Sequence, residues 1–235
     1  MRRLYYILLL IVFWGCSKDE ELIRTFDLDA FNKIEFNDSF KVRFHTSDEF
    51  KIVANGSERF IEDLEVISTG DSVVIENKVK AAWLWPESNK VILDVYCDSL
   101  AQIKASESCT ISSIDTLRSD NLLLIVSSKL NIADLKLNCR EFSYYNNFPC
   151  GGVMTFSGKA DKLDIFNYAL MQVEASDLSA TRVFVENHSG ASCAVKALDE
   201  FSYSIYNRGD IFLSGAPEVI TLIENSGEGE LIVVP

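Results

Sequence analysis

The chain has 235 residues, with 35 acidic side chains against 22 basic ones and a net charge of −13 at pH 7. This charge argues against binding to nucleic acid and against electrostatic docking on anionic lipid. Its length allows one domain or two, and with four prolines and 11 glycines it shows no long flexible linker.

The N-terminal residues have the pattern of an export signal followed by a tether. After two arginines, an apolar run over residues 4–14 is too short to span a bilayer. Cys16 ends this run in a way that resembles a bacterial lipoprotein signal, in which the chain is cut before the cysteine and lipid is attached to its sulfur. We predict a signal peptide over residues 1–15, lipidation of Cys16 and a tether over residues 16–26. An uncleaved signal anchor is the alternative.

The residues after the cysteine bear on localisation. Lys18, Asp19 and Glu20 resemble the signal by which some Gram-negative bacteria send lipoproteins to the outer face of the outer membrane. We therefore predict an outer-membrane lipoprotein that is exposed at the cell surface and held to the membrane through the lipid on Cys16. The alternatives are a protein that faces the periplasm and a plain charged tether.

Residues 27–99 carry short runs in which apolar and polar side chains alternate. Phe40–Phe44 and Phe50–Ala54 are examples, and such alternation of aromatic and β-branched residues is typical of half-buried strands. Turn residues such as Asn55-Gly56 separate the runs. Residues 60–66 are consistent with one short helix, and we expect no long helix outside the signal peptide.

From residue 100 to residue 235, the chain repeats a unit of about 20 residues, a period typical of solenoids. The strands of this region open at nearly regular intervals, at Leu100, Leu122, Phe142, Leu163, Val183, Phe201 and Val219. The period indicates a β-solenoid, because one coil cannot bury its apolar face alone and must stack on its neighbours. We predict an all-β, single-stranded parallel β-helix of about seven coils, capped at its N-terminal end by the strands of residues 27–99.

An asparagine ends many of these strands. The first four are evenly spaced along the chain and the fifth follows after a slightly shorter interval: Asn147, Asn167, Asn187, Asn207 and Asn225. Stacked coils would bring such residues above one another, where their amides hydrogen-bond along a ladder. For any single asparagine, an ordinary turn is the alternative. Five at this spacing favour the ladder, with Asn187 between Asn167 and Asn207.

An ordered series of strand and turn motifs resembles a known bacterial family. The motifs are Phe31-x-x-Ile34, Val42-x-Phe44, Lys51-x-Val53, Leu64-x-Val66, Gly70-Asp71-x-Val73-x-Ile75, Val91-x-Leu93-x-Val95 and Leu100-x-x-Ile103-x-Ala105-x-Glu107. The series is similar to the family described as "putative auto-transporter adhesin, head GIN domain", over about residues 27–233. The resemblance implies a GIN-like domain over residues 27–235. It also implies a right-handed parallel β-helix, often lipid-anchored, without an established activity.

Residues with catalytic chemistry do not form a recognised motif. His45 and His188 lack metal-ligand spacing, no G-x-S-x-G sequence is present, and no cofactor is implied. The turns are too short to build the loops of a catalytic cleft. We predict a non-catalytic binding, adhesion or scaffold module of the cell envelope. The alternatives are a β-helix enzyme that acts on polysaccharide and a structural spacer.

Five cysteines remain beside Cys16: Cys97, Cys109, Cys139, Cys150 and Cys193. They are odd in number and contain no C-x-x-C pair, so the sequence names no disulfide. Small apolar cysteine is among the most buried residue types, which favours positions in the core.

Two surfaces are predicted to meet partners. Trp83, Leu84 and Trp85 form an aromatic loop between two strand patterns, where a polar loop would be expected. This loop is a candidate binding site for a glycan or an envelope protein, and the alternative is that it caps the solenoid. At the other end, the apolar strand at residues 230–234 has little sequence left to cover it. Its open edge predicts self-association or a partner.

Overall fold

The computed structural model describes residues 20–80, 84, 90–147 and 150–235. Strands hold 70% of the described residues and helix 3%, which confirms the all-β prediction. The described part of the chain has no helix with the length and apolar character needed to cross a membrane. In chain order, the elements are β1 (Glu21–Asp27), β2 (Lys33–Phe36), β3 (Lys41–Thr46), β4 (Lys51–Ser57), α1 (Glu58–Glu62), β5 (Leu64–Thr69), β6 (Ser72–Asn77), β7 (Ile92–Cys97), β8 (Gln102–Ala105), β9 (Thr110–Ser113), β10 (Leu117–Val126), β11 (Asn131–Asn146), β12 (Gly151–Ser189), β13 (Cys193–Ile205), β14 (Ile211–Gly215), β15 (Val219–Asn225) and β16 (Leu231–Val233).

The repeated region stacks as parallel coils. Strand β10 pairs with β11 so that Leu122 lies opposite Phe142, and Phe142 in turn lies opposite Leu163 of β12. Farther along, Val183 of β12 lies opposite Phe201 of β13. These offsets match the spacing expected from the sequence. The stack is a β-solenoid of about six turns, which confirms the predicted parallel β-helix, with about one turn fewer than the seven coils expected.

The N-terminal strands contribute to the stack as well as to its cap. Strand β2 pairs in parallel with β6 on one side and β8 on the other, and β3 pairs in the same way with β7 and β9. The coil that contains β2 and β3 therefore lies between the coil of β6 and β7 and the coil of β8 and β9, although β2 and β3 come earlier in the chain. Antiparallel strands β1, β4 and β5, together with helix α1, close this end.

The core runs continuously along the inside of the coils. In β11, buried and solvent-facing side chains alternate, because successive residues of a strand point to opposite faces. Aromatic rings pack edge to face where two coils meet, with the ring centroids of Phe142 and Phe156 separated by 4.8 Å. Tyr144 is also fully buried and packs against Phe156. Such interlayer contacts bury an apolar face that one coil could not bury by itself.

The cysteines of the described residues are all free and buried: Cys97, Cys109, Cys139, Cys150 and Cys193. Burial raises the pKa of Cys97 to about 12, and burial likewise raises the pKa of Cys109 and of Cys139 to about 11. Because a thiolate is the reactive form of cysteine, a raised pKa makes these thiols inert.

We expect iodoacetamide at pH 8 to label none of these five cysteines in the native protein. For Cys109 and Cys139, a pKa of about 11 leaves about one thousandth of the thiol ionised at that pH, and burial hinders the reagent at all five sites. Unfolding in guanidinium chloride should expose all five. Peptide mapping by mass spectrometry checks each site separately. Rapid native labelling of Cys193, which is fully buried, would contradict the packing described above.

Candidate functional site

Three buried asparagines line one inner corner of the coils: Asn146, Asn167 and Asn187. Tyr145 pairs with Phe166, so the next residues, Asn146 and Asn167, are neighbours in adjacent coils. The Asn167 amide donates to Oδ1 of Asn187 at 3.2 Å and to the carbonyl of Met171 at 2.9 Å. The Asn187 amide donates to the carbonyl of Gly209 at 2.8 Å. The bonds to Asn187 and to Gly209 tie successive coils together.

The remaining predicted ladder residues lie elsewhere. Asn147 is exposed, and its neighbour Asn146 occupies the inner position, because this coil is slightly longer than the expected spacing. Asn207 is also exposed, since the following coil is shorter and places Ile205 opposite Asn187. Asn225 lies opposite Ile205 in the last coil and is exposed there. A prediction that assumes constant spacing does not account for these changes in coil length.

A stack of aromatic rings stands on the outer face beside the asparagines. The rings of Tyr168 and His188 are parallel within 8°, with centroids 4.5 Å apart. Those of His188 and Tyr206 are equally parallel and lie 4.1 Å apart. Each of these residues directly follows one of the inner positions 167, 187 and 205, so the coil register itself aligns them. We call Tyr168, His188 and Tyr206 the aromatic stack.

Glu186 holds the stack in place. The Tyr168 hydroxyl donates to its carboxylate at 2.9 Å, and Nε2 of His188 lies 3.0 Å from the same oxygen. Burial, and then this bond to a negatively charged acceptor, raises the pKa of Tyr168 to about 12. The phenol is therefore neutral and a hydrogen-bond donor at physiological pH. Because parallel rings cover one another's faces, the stack mainly offers its edges to a ligand.

A groove runs along the corner next to this stack. Its volume is about 650 Å³, and its lining is mostly apolar: Lys129, Cys150, Gly151, Tyr168, Ala169, Leu170, His188 and Asn207. Leu170 stands on the rim with 63% of its surface exposed. Ligand sites are typically concave and apolar with a few polar groups that set orientation. Lys129, His188 and Asn207 supply such groups here. We call this the corner groove.

The rim of the corner groove is held in a strained conformation. Ala169 has φ +63°, and among the described residues it is the one non-glycine residue with a positive φ. An alanine in this region costs about 1–2 kcal/mol. The next coil fixes it, because the backbone N–H of Gly190 donates to the Ala169 carbonyl at 2.9 Å. Strain that the surroundings maintain is characteristic of functional sites.

A second stacked histidine shows that stacking alone does not make a groove. His45 lies parallel to Tyr96 at 4.5 Å, and its Nε2 is 2.8 Å from the carboxylate of Asp94. Arg43 donates to the same carboxylate. Burial opposes ionisation of Asp94, but these hydrogen bonds outweigh it and hold the pKa of Asp94 below its usual value. The corner groove therefore differs from this cluster by its concave, apolar lining.

A second, polar groove of about 730 Å³ lies on a different surface. Arg118, Arg140, Asp120 and Asp161 contribute charges of both signs to it. Arg140 is already engaged, since it donates to Glu141 at 2.8 Å and to Asn121 at 3.1 Å. This groove is open and polar, and it lacks the strained rim of the corner groove.

The other predicted site residues can be placed only in part. Cys16, Trp83 and Trp85 lie outside the described residues, so lipidation and the aromatic loop stay predictions. Leu84 is described and is exposed, within the connection between β6 and β7 at the capped end. Within the described ranges, no three His, Cys, Asp or Glu side chains are grouped to hold a metal ion.

Sequence reasoning missed the corner groove and its aromatic stack. The available signal was the residue after each inner position, which is Tyr168, His188 or Tyr206 in successive coils. Reading that signal requires the true register of the coils, which the assumption of uniform spacing concealed.

Solved structures share this fold. One is described as a "putative adhesin" from Bacteroides fragilis, with a TM-score of 0.79 and 16% identity over 92% of this chain and 97% of that one. Another "putative adhesin", from Parabacteroides distasonis, has a TM-score of 0.66 and 14% identity over 92% and 98%. A "putative lipid binding protein" from the same species has a TM-score of 0.61 and 14% identity over 93% of this chain and 98% of that one. At these identities, the likeness shows the fold alone.

Comparison with curated proteins finds no match. The family model described as "Putative auto-transporter adhesin, head GIN domain" matches residues 30–217. That range takes in the capped end apart from β1, most of the solenoid and the whole corner groove. The chain therefore belongs to the family of the putative auto-transporter adhesin, head GIN domain.

Proposed function

We propose that this protein is a lipid-anchored, non-catalytic adhesion module that binds its ligand in the corner groove. The observation that carries the proposal is the apolar groove whose rim residue, Ala169, is held at φ +63° by the next coil. A spacer needs neither a groove nor a strained rim. Membership of a family described as adhesins supports the same function.

The lining suggests what kind of group enters the groove. Leu170, the ring edge of Tyr168 and the Ala169 side chain form the apolar part, and Lys129 and Asn207 are placed for polar contacts. This combination suits a ligand with an apolar face and a hydroxyl-bearing or anionic edge. Such ligands occur among surface glycans and among lipid headgroups. The likeness in fold to a "putative lipid binding protein" makes vesicles a necessary probe beside glycans.

The anchor orients the module. Cys16 would carry the lipid, and strand β1 begins shortly afterwards at Glu21, at the capped end of the solenoid. In this arrangement, the capped end lies near the outer membrane and the later coils extend away from it. Lys18, Asp19 and Glu20 are the basis for placing the module on the cell surface.

We expect Leu170→Asp to weaken binding at least tenfold, because a charge would then stand on the apolar rim. Ile114→Asp is the matched control, since Ile114 is 57% exposed and does not line the groove. Neither change should unfold the protein, because both side chains are mostly in solvent. The measurement is attachment of protein-coated beads to immobilised mucin glycans, to collagen and to phosphatidylcholine vesicles.

The outcomes separate the alternatives. Loss of attachment in Leu170→Asp with full attachment in Ile114→Asp supports the corner groove. Loss in Arg118→Ala alone would move the binding site to the polar groove. A wild-type protein that attaches to none of the three surfaces would favour a structural spacer over an adhesion module.

We expect Cys16→Ser to abolish incorporation of a radiolabelled fatty acid and to release the protein from the membrane fraction. The reason is that a serine hydroxyl cannot form the thioether on which lipoprotein processing depends. Ser17→Ala is the control, and it should be labelled like the wild type. Equal labelling of wild type and Cys16→Ser would exclude lipidation at this residue.

A further inference from the structure

Among the described residues, no segment covers the last coil of the solenoid. All seven residues of β15 are exposed. Strand β15 pairs with β13 alone, and β16 pairs with β14 alone, so each has one free edge within the described residues. A free strand edge presents unpaired backbone N–H and C=O groups to any extended chain that approaches.

Side chains that continue the core emerge at this end. Ile220 lies opposite Phe201 and Leu222 opposite Tyr203. Phe201 is 1% exposed, but Ile220 and Leu222 are 47% and 52% exposed. Ile223 and Val233 are exposed beside them. Ile220 and Leu222 therefore leave apolar surface open at the end of the stack, and exposed apolar surface of this kind is typical of an interaction site.

At the opposite end, the protein's own elements cover the core. There, antiparallel strands β1, β4 and β5 lie over the outermost coil. Helix α1 adds Phe60 and Ile61, which are both fully buried. The uncovered last coil is therefore not a general property of the solenoid.

Charge decides between occupants of this surface. Residues 209–235 contain no lysine, arginine or histidine, and they contain five acids: Asp210, Glu218, Glu224, Glu228 and Glu230. The four glutamates are exposed. Docking two such ends would bring like charges together, which costs free energy and is a common defence of strand edges against self-pairing. The same carboxylates would attract a basic partner and stabilise its complex with the last coil.

We infer that the last coil accepts an extended strand from another protein, in which apolar residues alternate with lysine or arginine. The partner's backbone would pair with the free edge of β15, as in other cases of strand addition. Its apolar side chains would cover Ile220 and Leu222, and its basic side chains would meet Glu218 and Glu224. This surface adjoins the aromatic stack through the hydrogen bond from Tyr206 to Glu224, but none of its residues lines the corner groove, so the two proposals are tested separately.

The probes are blocked seven-residue peptides. The first alternates lysine with valine, the second alternates glutamate with valine, and the third is the lysine peptide with N-methyl groups along one edge. We expect the lysine peptide to bind the full chain in mild detergent, and the other two to bind at least tenfold more weakly. N-Methylation removes the donors on one edge without changing charge, so it tests backbone pairing. Isothermal titration calorimetry gives the affinities.

A charge-reversed variant tests the same contact from the protein side. The double change Glu218→Lys with Glu224→Lys alters exposed side chains, removes one surface hydrogen bond, from the Tyr206 hydroxyl to Glu224, and should fold normally. It should bind the lysine peptide at least tenfold more weakly and gain affinity for the glutamate peptide. The double change Asp48→Lys with Asp115→Lys, remote from this end, is the matched control and should bind as the wild type does.

Protection from amide hydrogen exchange locates the peptide. Slower exchange in β15 on addition of the lysine peptide supports the inference. No binding, equal affinity for the lysine and glutamate peptides, or protection elsewhere would overturn it. A dimer that Leu222→Asp dissociates would identify a second copy as the occupant instead. Binding to phosphatidylcholine vesicles that the same variant abolishes would identify a lipid surface.

Discussion

Replacing Asn187 with alanine is expected to lower the free energy of unfolding by about 2–4 kcal/mol. The side chain is fully buried and makes three hydrogen bonds: it donates to the carbonyl of Gly209, and it accepts from the Asn167 amide and from the backbone N–H of Ser189. Alanine removes all three bonds, and of the three partners the Asn167 amide keeps one other bond, to the Met171 carbonyl. A buried donor or acceptor without a partner carries its full desolvation cost.

The matched control is Asn207→Ala. Asn207 has the same side chain one coil farther on, but it is exposed, and water can replace its bond to the His188 carbonyl. We expect a change below about 0.5 kcal/mol for this variant. Urea denaturation followed by circular dichroism measures both. Equal losses would mean that the inner position of Asn187 contributes no more than an ordinary exposed turn.

Gly152→Ala is expected to lower the free energy of unfolding by about 3–5 kcal/mol, because the added Cβ is unfavourable both for the backbone conformation and for packing. Gly152 has φ +128°, a conformation that side-chain-bearing residues rarely adopt. A Cβ there would also lie 1.9 Å from the carbonyl oxygen of Asn131 in the preceding coil. Since Asn131 pairs directly with Gly152, relief of this clash would require β11 and β12 to separate.

Gly70→Ala separates the two causes. Gly70 also has a positive φ, of +62°, but nothing lies within 4 Å of its Cβ position. We expect this variant to lose about 1 kcal/mol, which is the conformational part alone. Denaturation curves give both values, and amide exchange should show the damage of Gly152→Ala concentrated in β11 and β12. Similar losses of stability in the two variants would mean that β11 and β12 can move apart at Gly152 at little cost in free energy.

The distribution of stability should follow from the stacked architecture. Each coil contacts mainly the coils before and after it, so damage at Asn187 or Gly152 is expected to spread to neighbouring layers first. The uncovered β15 should exchange its amide protons faster than the buried strand β11, since it packs on one side only. Occupation of the last coil by a partner would therefore stabilise the end of the solenoid.

The sequence could predict the fold because the coils repeat. A stack of short strands requires both alternating side chains and a nearly constant repeat length. Both features can be read from the sequence without knowing which distant residues are in contact. Residues such as Leu122, Phe142 and Leu163 occupy equivalent inner positions and are separated by nearly constant spacing. The family resemblance rested on the same patterns, and the match over residues 30–217 confirms it.

The candidate site could not be predicted in the same way. The stretch of chain from Tyr145 to its partner Phe166 is longer than the stretch from Asn187 to its partner Ile205, because residues are added or removed at the corners. A corner can absorb such a change without disturbing the hydrogen bonds of the strands. The sequence alone therefore does not show which residues share a corner. For the same reason, it does not reveal the aromatic stack of Tyr168, His188 and Tyr206.

By itself, the sequence determined that this protein is an all-β solenoid with a strand-rich N-terminal cap, because apolar periodicity is a local property of the chain. Tertiary structure alone decided the placing of β2 and β3 inside β6 and β7, of Asn146 in the inner row in place of Asn147, and of Ile205 opposite Asn187. Those choices depend on which backbone groups pair between coils far apart in sequence. The corner groove and the uncovered last coil follow from that pairing, since both exist only where separate coils meet or fail to meet.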